Sequence, residues 1–254
     1  MEKIAVFQYI TAFLFGSVIG SFLNVCIYRI PKKESIVFPS SHCPACNKKI
    51  KPYDNMPIIS YILLKGRCRE CGEKISFQYP LVEFLNAAGY VIMIWKFGVG
   101  INALIYALLY SALIVVTFID LEHQIIPDRI TLPGILIGFI LGAAVLPVGW
   151  LNSLIGLLLG GGLFYLVAVA SRGGMGGGDI KLIAMIGAFL GWRYTLLTIF
   201  LGALAGAIVG LSLMIFKGKG RKHPVPFGPF LALGAIASLL WGNDIIKWYI
   251  NLGR

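Results

Sequence analysis

The chain has 254 residues, 58% hydrophobic and only 13% charged, with a mean hydropathy of +0.84. A soluble globular domain carries roughly 25% charged residues, so composition excludes that class and predicts an all-α polytopic membrane protein. The net charge of +11 does not indicate nucleic acid, because the basic residues flank apolar runs; basic loops beside a bilayer face the cytoplasm and its anionic lipids.

In chain order, residues 4–27 form the first apolar run, 24 residues long, where about 20 suffice to span. It is too long for a signal-peptide core and has no small-residue cleavage site. Gly16 and Gly20, with Ser17 and Ser21, predict close packing on another helix. Residues 29–79 hold ten of the 22 basic residues and four of the five cysteines, so they form a small cytoplasmic domain. Seven further spans follow, at about 81–96, 101–119, 130–148, 151–170, 180–192, 194–216 and 227–250, giving eight helices with both termini outside. In that arrangement 17 Lys and Arg lie on the cytoplasmic side and 5 outside, as the positive-inside rule requires. Asp120 and Asp179 then share the cytoplasmic face.

Cys43-Pro-Ala-Cys46 and Cys68-Arg-Glu-Cys71 are two C-x-x-C pairs with 21 residues between them. Two such turns complete a tetrahedral zinc site with no position left for water, so the metal is structural. Disulfides are the rival, disfavoured in a reducing cytoplasm. A metal supplies stability that about fifty residues cannot build from a core. His42 reads as a surface residue and Cys26 as a small apolar one.

Acidic residues are scarce, eleven in all. One at the end of a membrane helix is a functional candidate by default. Asp120 closes one apolar run. Asp179 opens another, after Gly173-Gly174-Met175-Gly176-Gly177-Gly178. Ordering so many glycines costs entropy, and glycine lets a second backbone, such as an extended substrate, approach closely. The alternative for Asp179 is an N-cap of the helix from Ile180. For Asp128 the N-cap reading is preferred, and Glu122 and His123 read as solvated loop residues. Two adjacent carboxylates share one proton: the ionised one takes a proton from an attacking water and the protonated one donates to a carbonyl oxygen.

These residues resemble a known family. Gly176-Gly177-Gly178-Asp179 fits the GxGD signature of membrane aspartyl proteases. Joined to Gly20-Ser-Phe-Leu-Asn-Val, the two C-x-x-C pairs, Tyr79-Pro-Leu-Val-Glu83, the Asp120–Asp128 stretch and Pro226-Phe-Gly-Pro229, the set resembles the bacterial type IV prepilin peptidases over residues 14–242. The resemblance implies cleavage of the basic leaders of type IV prepilins and type II secretion pseudopilins, between Gly and Phe, at the cytoplasmic face of the inner membrane. It implies Asp120 and Asp179 as the catalytic pair. It also implies methylation of the new N-terminal amine from S-adenosylmethionine, since the cysteine-containing loop goes with bifunctional members. The expected domains are 1–28 (first transmembrane helix), 29–79 (zinc-binding) and 80–254 (seven-helix catalytic part).

From the residues themselves the methyl-transfer site is open. There is no dinucleotide-type glycine fingerprint. Glu83 reads equally as a contact for an amine or cofactor and as an acid near a helix N-terminus. Lys181 reads as an interfacial lysine. Against the basic cytoplasmic face, Asp54, Glu70 and Glu73 are candidates for meeting a basic leader. Pro224, Pro226 and Pro229 break the start of the last span, either bordering the active site or marking a plain loop. Two other functions compete: a transporter with glycine-broken helices, against which the acids lie at one edge and no inverted repeat is found, and a zinc-bearing scaffold without catalysis.

Overall fold

The structure is a computed structural model describing residues 2–172, 174–217 and 226–252; Gly173 and Pro224 lie outside that range. It is all-helical among the described residues. The order is α1 Glu2–Arg29, a 3-10 turn Pro52–Asn55, α2 Ile59–Leu63, α3 Gln78–Phe97, α4 Ile101–His123, α5 Asp128–Ala144, α6 Trp150–Ala170, α7 Gly177–Lys217 and α8 Gly228–Leu252. Each of the eight apolar runs falls largely on a helix, though 130–148 runs four residues past the end of α5. Among the described residues, five helices are long and apolar enough to cross a membrane; α5 has 17 residues and α3 is not among the five. The fold is that of a polytopic membrane protein carrying a four-cysteine module.

The chain falls into two compact units, Met1–Val115 and Val116–Arg254. In the first, the small residues of α1 do what their spacing predicts. A Cβ on Gly16 would lie 2.8 Å from Ala87 Cα, and one on Gly20 would lie 2.7 Å from Glu83 Cα. Backbones that close let side chains of one helix satisfy the other: Asn86 Nδ2 donates to Gly16 O at 2.7 Å and Asn24 Nδ2 to Tyr79 O at 3.0 Å. Ser111 of α4 donates to Asn86 Oδ1 at 2.8 Å. Such pairs hold helices together where apolar burial does not distinguish lipid from protein.

In the second unit α7 is central, packed against α5, α6 and α8. The expected pair of spans at 180–192 and 194–216 is one element broken at Gly191, whose φ of 75° and ψ of 169° are non-helical. Only glycine occupies that region readily. The segment before the break is about 21 Å long at 1.5 Å per residue, short of a bilayer core of about 30 Å. Leu182, Ile183, Met185 and Ile186 on it are almost completely enclosed. A short, broken helix is tolerated because protein surrounds it. Ser153 of α6 donates to Ala188 O at 2.6 Å, and Gly156 and Gly187 let α6 and α7 meet backbone to backbone.

Candidate active site and metal centre

Asp120 sits in the last turn of α4 and is 5% exposed. Gly228, at the start of α8, donates its backbone N–H to Asp120 Oδ2 at 2.9 Å. A Cβ on Gly228 would lie 2.7 Å from that oxygen and 3.2 Å from Ile126 Cδ1. Asp179 lies in the first turn of α7, which starts two residues earlier. It is therefore not the N-cap of a helix from Ile180. Its N–H donates to Gly176 O at 3.1 Å, and its Oδ1 is buried with no hydrogen-bond partner. The two carboxylates are near enough to feel one another's charge. Ile126 is wedged beside them: a Cβ on Gly178 would lie 2.7 Å from Ile126 Cβ.

The glycines of the loop thus differ. Gly178 is needed for close approach by Ile126, a Cβ on Gly176 would lie 3.1 Å from Asp179 Oδ2, and Gly177 has nothing within 4 Å. Asp128 is not the N-cap of α5. That place belongs to Pro127, and Asp128 follows in the first turn with no capping hydrogen bond. Its carboxylate instead binds Lys181 Nζ at 2.7 Å through both oxygens, so Lys181 is an ion-pair partner rather than only an interfacial lysine. Pro226 and Pro229 flank Gly228, which places the start of α8 against Asp120. Gly228 itself was missed from the sequence; its signal was Pro226-Phe-Gly-Pro229, a glycine between two prolines at a helix start.

The four cysteines are brought together. Their sulfurs all lie within 4.8 Å of one another, and Cys43 Sγ is 3.8 Å from Cys71 Sγ. A tetrahedral zinc with Zn–S of about 2.3 Å requires sulfurs about 3.8 Å apart, so this cluster fits the ion. Each pair is held by the same turn. Cys43 N–H donates to Lys48 O and Cys68 N–H to Glu73 O, while Asn47 and Gly72 take positive φ and donate back to Cys43 O and Cys68 O. The turns share every hydrogen bond at an offset of 25 residues. Backbone N–H groups of Cys71 and Glu70 pull the Cys68 thiol down to about 7, toward the thiolate a metal needs. Lys48–Glu70 at 2.7 Å joins the turns, and Arg69 holds Asp54 through a fork of 2.7–3.0 Å bonds. Asp54 and Glu70 are therefore already engaged by cations; Glu73 is exposed, with no ion pair among the described residues. His42 is exposed, its ring nitrogen 3.2 Å from Ser40 O, and Cys26 is buried in α1.

Glu83 is 7% exposed in α3. It accepts the Ile58 N–H at 2.7 Å. Ile58 has a φ of 63°, an uncommon backbone that this carboxylate helps to hold.

Apolar helices, a buried Asp120 and a half-buried Asp179 in one unit, and four clustered cysteines in the other make the chain a candidate membrane-embedded aspartyl protease. The comparisons with known proteins agree. Residues 14–97 match the bacterial peptidase A24 N-terminal domain and residues 107–211 the type IV leader peptidase family. The prepilin leader peptidase/N-methyltransferase of Aeromonas salmonicida (strain A449) is 36% identical over 94% of this chain and 92% of its own. Its counterpart in Legionella pneumophila is 36% identical over 96% and 95%, and that of Bacillus subtilis (strain 168) 34% identical over 94% and 97%. No solved structure matches the chain. The chain belongs to the type IV leader peptidase family.

Proposed function

We propose that this protein is a membrane aspartyl endopeptidase that removes the basic leader of type IV prepilins and type II secretion pseudopilins at a Gly–Phe bond, and then methylates the new N-terminal amine with S-adenosylmethionine. The observation that carries the reading is the Asp120–Asp179 pair: two carboxylates from different helices of one unit, with interacting charges and a buried Asp179 oxygen that lacks a donor. Water attacks the scissile carbonyl carbon as the pair removes its proton. A proton from the pair goes to the carbonyl oxygen. The tetrahedral adduct collapses, the C–N bond breaks and the amine leaves protonated. Gly228 N–H fixes one carboxylate by its backbone. Beside the other, Gly176 and Gly178 allow close packing around Asp179 and Ile126, and Gly177 leaves open space for a substrate backbone.

Cys43, Cys46, Cys68 and Cys71 hold a structural Zn2+. Residues 29–79 are the cytoplasmic zinc-binding domain, residues 1–28 the first transmembrane helix and residues 80–254 the seven-helix catalytic domain. The protein lies in the bacterial inner membrane with both termini outside, its active site facing the cytoplasm and its basic loops on anionic lipid. Of the three candidate acids, exposed Glu73 is the one not engaged by a cation and so the one open to a basic leader. Methylation needs a neutral amine to attack the donor's methyl group. A terminal amine with a pKa near about 8 supplies it readily. The test uses purified protein, a prepilin and S-adenosylmethionine: Asp120→Asn and Asp179→Asn should each lower cleavage by about a thousandfold or more. Cleavage that persists in both variants sinks the proteolytic reading. Mass spectrometry that finds the product unmethylated sinks the second activity.

A further inference from the structure

The first unit contains a cavity of about 390 Å³ between the C-terminal half of α1 and the segments 36–41 and 52–57. Its volume lies in the range of small-molecule and cofactor sites, roughly 300–1,000 Å³. One wall is a stripe of α1 at helical spacing, Val18, Phe22, Val25 and Arg29. Ser40, Ser41 and Asn55 also line the cavity. Arg29 is 6% exposed. Its Nη1 donates to Ser35 O at 2.9 Å and its Nη2 to Pro39 O at 2.8 Å. No carboxylate pairs with it among the described residues. A buried cation with only carbonyl partners lacks the anion that normally accompanies it, and its planar fork suits a carboxylate.

We propose that this cavity is the methyl-donor site, with Arg29 receiving the methionine carboxylate of S-adenosylmethionine. This rests on the methyltransferase reading above. The apolar α1 stripe and Met56 offer cover for the purine, and the Ser40, Ser41 and Asn55 side chains offer partners for ribose hydroxyls. Glu83 is a positioning residue: Pro57 lines the cavity, and Glu83 holds the backbone of the next residue, Ile58, in place. A phospholipid phosphate is the competing anion, but a two-chain lipid exceeds the cavity.

The decisive experiment is photo-crosslinking of methyl-labelled S-adenosylmethionine to the zinc-loaded full-length protein in detergent, followed by peptide mapping. Label competed by S-adenosylhomocysteine should map to peptides within 18–57. Label confined to peptides of the second unit overturns the proposal. Calorimetry then measures the dissociation constant for Arg29→Gln and for Val25→Phe, which fills the cavity without touching the 35–39 segment's hydrogen bonds. Both should weaken S-adenosylmethionine binding by about tenfold or more; affinities within twofold of the unchanged protein overturn it. Native mass spectrometry covers the competitor, since a co-purifying phospholipid lost in Arg29→Gln with donor affinity unchanged assigns the cavity to lipid. Methyl transfer to a cleaved pilin is followed in the same preparation. Transfer with label elsewhere removes this site and leaves the activity standing; neither transfer nor binding removes both.

Discussion

At the scale of the residue, the sharpest dependence is that of Asp120 on a glycine 108 positions away. Gly228 supplies the N–H, and its missing side chain supplies the room. A Gly228→Ala variant puts a methyl carbon 2.7 Å from Asp120 Oδ2, inside van der Waals contact, so the carboxylate must move. Because displacements of about 1 Å in a catalytic group cost about a hundredfold, cleavage should fall at least that much in kcat, measured on a synthetic prepilin. Gly177→Ala is the contrast. Nothing lies within 4 Å of its added carbon, so thermal stability should hold, and a rise in KM would report substrate passing over the loop. The two aspartates were legible because carboxylates at the ends of apolar runs are rare. Gly228 was not, because only the fold brings α8 to α4. The N-cap reading of Asp128 failed because Pro127 takes the cap position, leaving the carboxylate free for Lys181, 53 positions away.

At the scale of the element, the zinc module and α7 teach opposite lessons. The grouping of the four cysteines was readable from spacing, since a C-x-x-C turn is local. Removing the metal with a chelator, or Cys43→Ser, should unfold residues 29–79 and expose them to protease, as a site that supplies its own stability does; an unchanged digestion pattern with zinc absent would count against a structural metal. The Arg69 guanidinium holds the Asp54 carboxyl below its usual value. A depressed pKa in the folded state contributes stability at pH above about 4, which disappears as pH falls through the lowered value. Zinc-module melting should therefore separate native protein from Asp54→Asn near neutrality, and the gap should narrow as pH is lowered within the range where the thiolates still hold the metal. The break in α7 was only half legible: a short span and a following one were expected, but the hinge residue was not. Gly191→Ala should destabilise the second unit by about 1–3 kcal/mol, the cost of holding a non-glycine residue in that backbone region. Its added carbon would also meet Val148 Cγ2 at 2.5 Å. Chaotrope unfolding in detergent measures it.

At the scale of the whole molecule, the membrane class and the helix positions followed from composition and apolar runs, whereas helix partners did not. In lipid, a helix face toward protein and one toward hydrocarbon are equally apolar, so burial leaves no pattern to read. Small residues were the exception: Gly16 and Gly20 marked the contact of α1 with α3, while Gly156 and Gly187 mark that of α6 with α7 but were not read from the sequence. The division of the chain within α4 left no compositional trace. Orientation rests on a different quantity, the asymmetry of 17 basic residues against 5. That asymmetry acts locally through short loops. The loops holding Asp120 and Asp179 carry few of these charges themselves, so the proposed cytoplasmic side for them rests on residues 29–79 and on the segment 217–226. Reporter fusions test this directly. An alkaline phosphatase joined after Gly149, or at the C-terminus, should be active on the outer side of the inner membrane, and one joined after Gln124 inactive. The inverse pattern would put both aspartates outside, away from any leader still in the cytoplasm. In that arrangement the carboxylate pair could not meet a prepilin before export, and the peptidase reading would fall however favourable the geometry around Gly228.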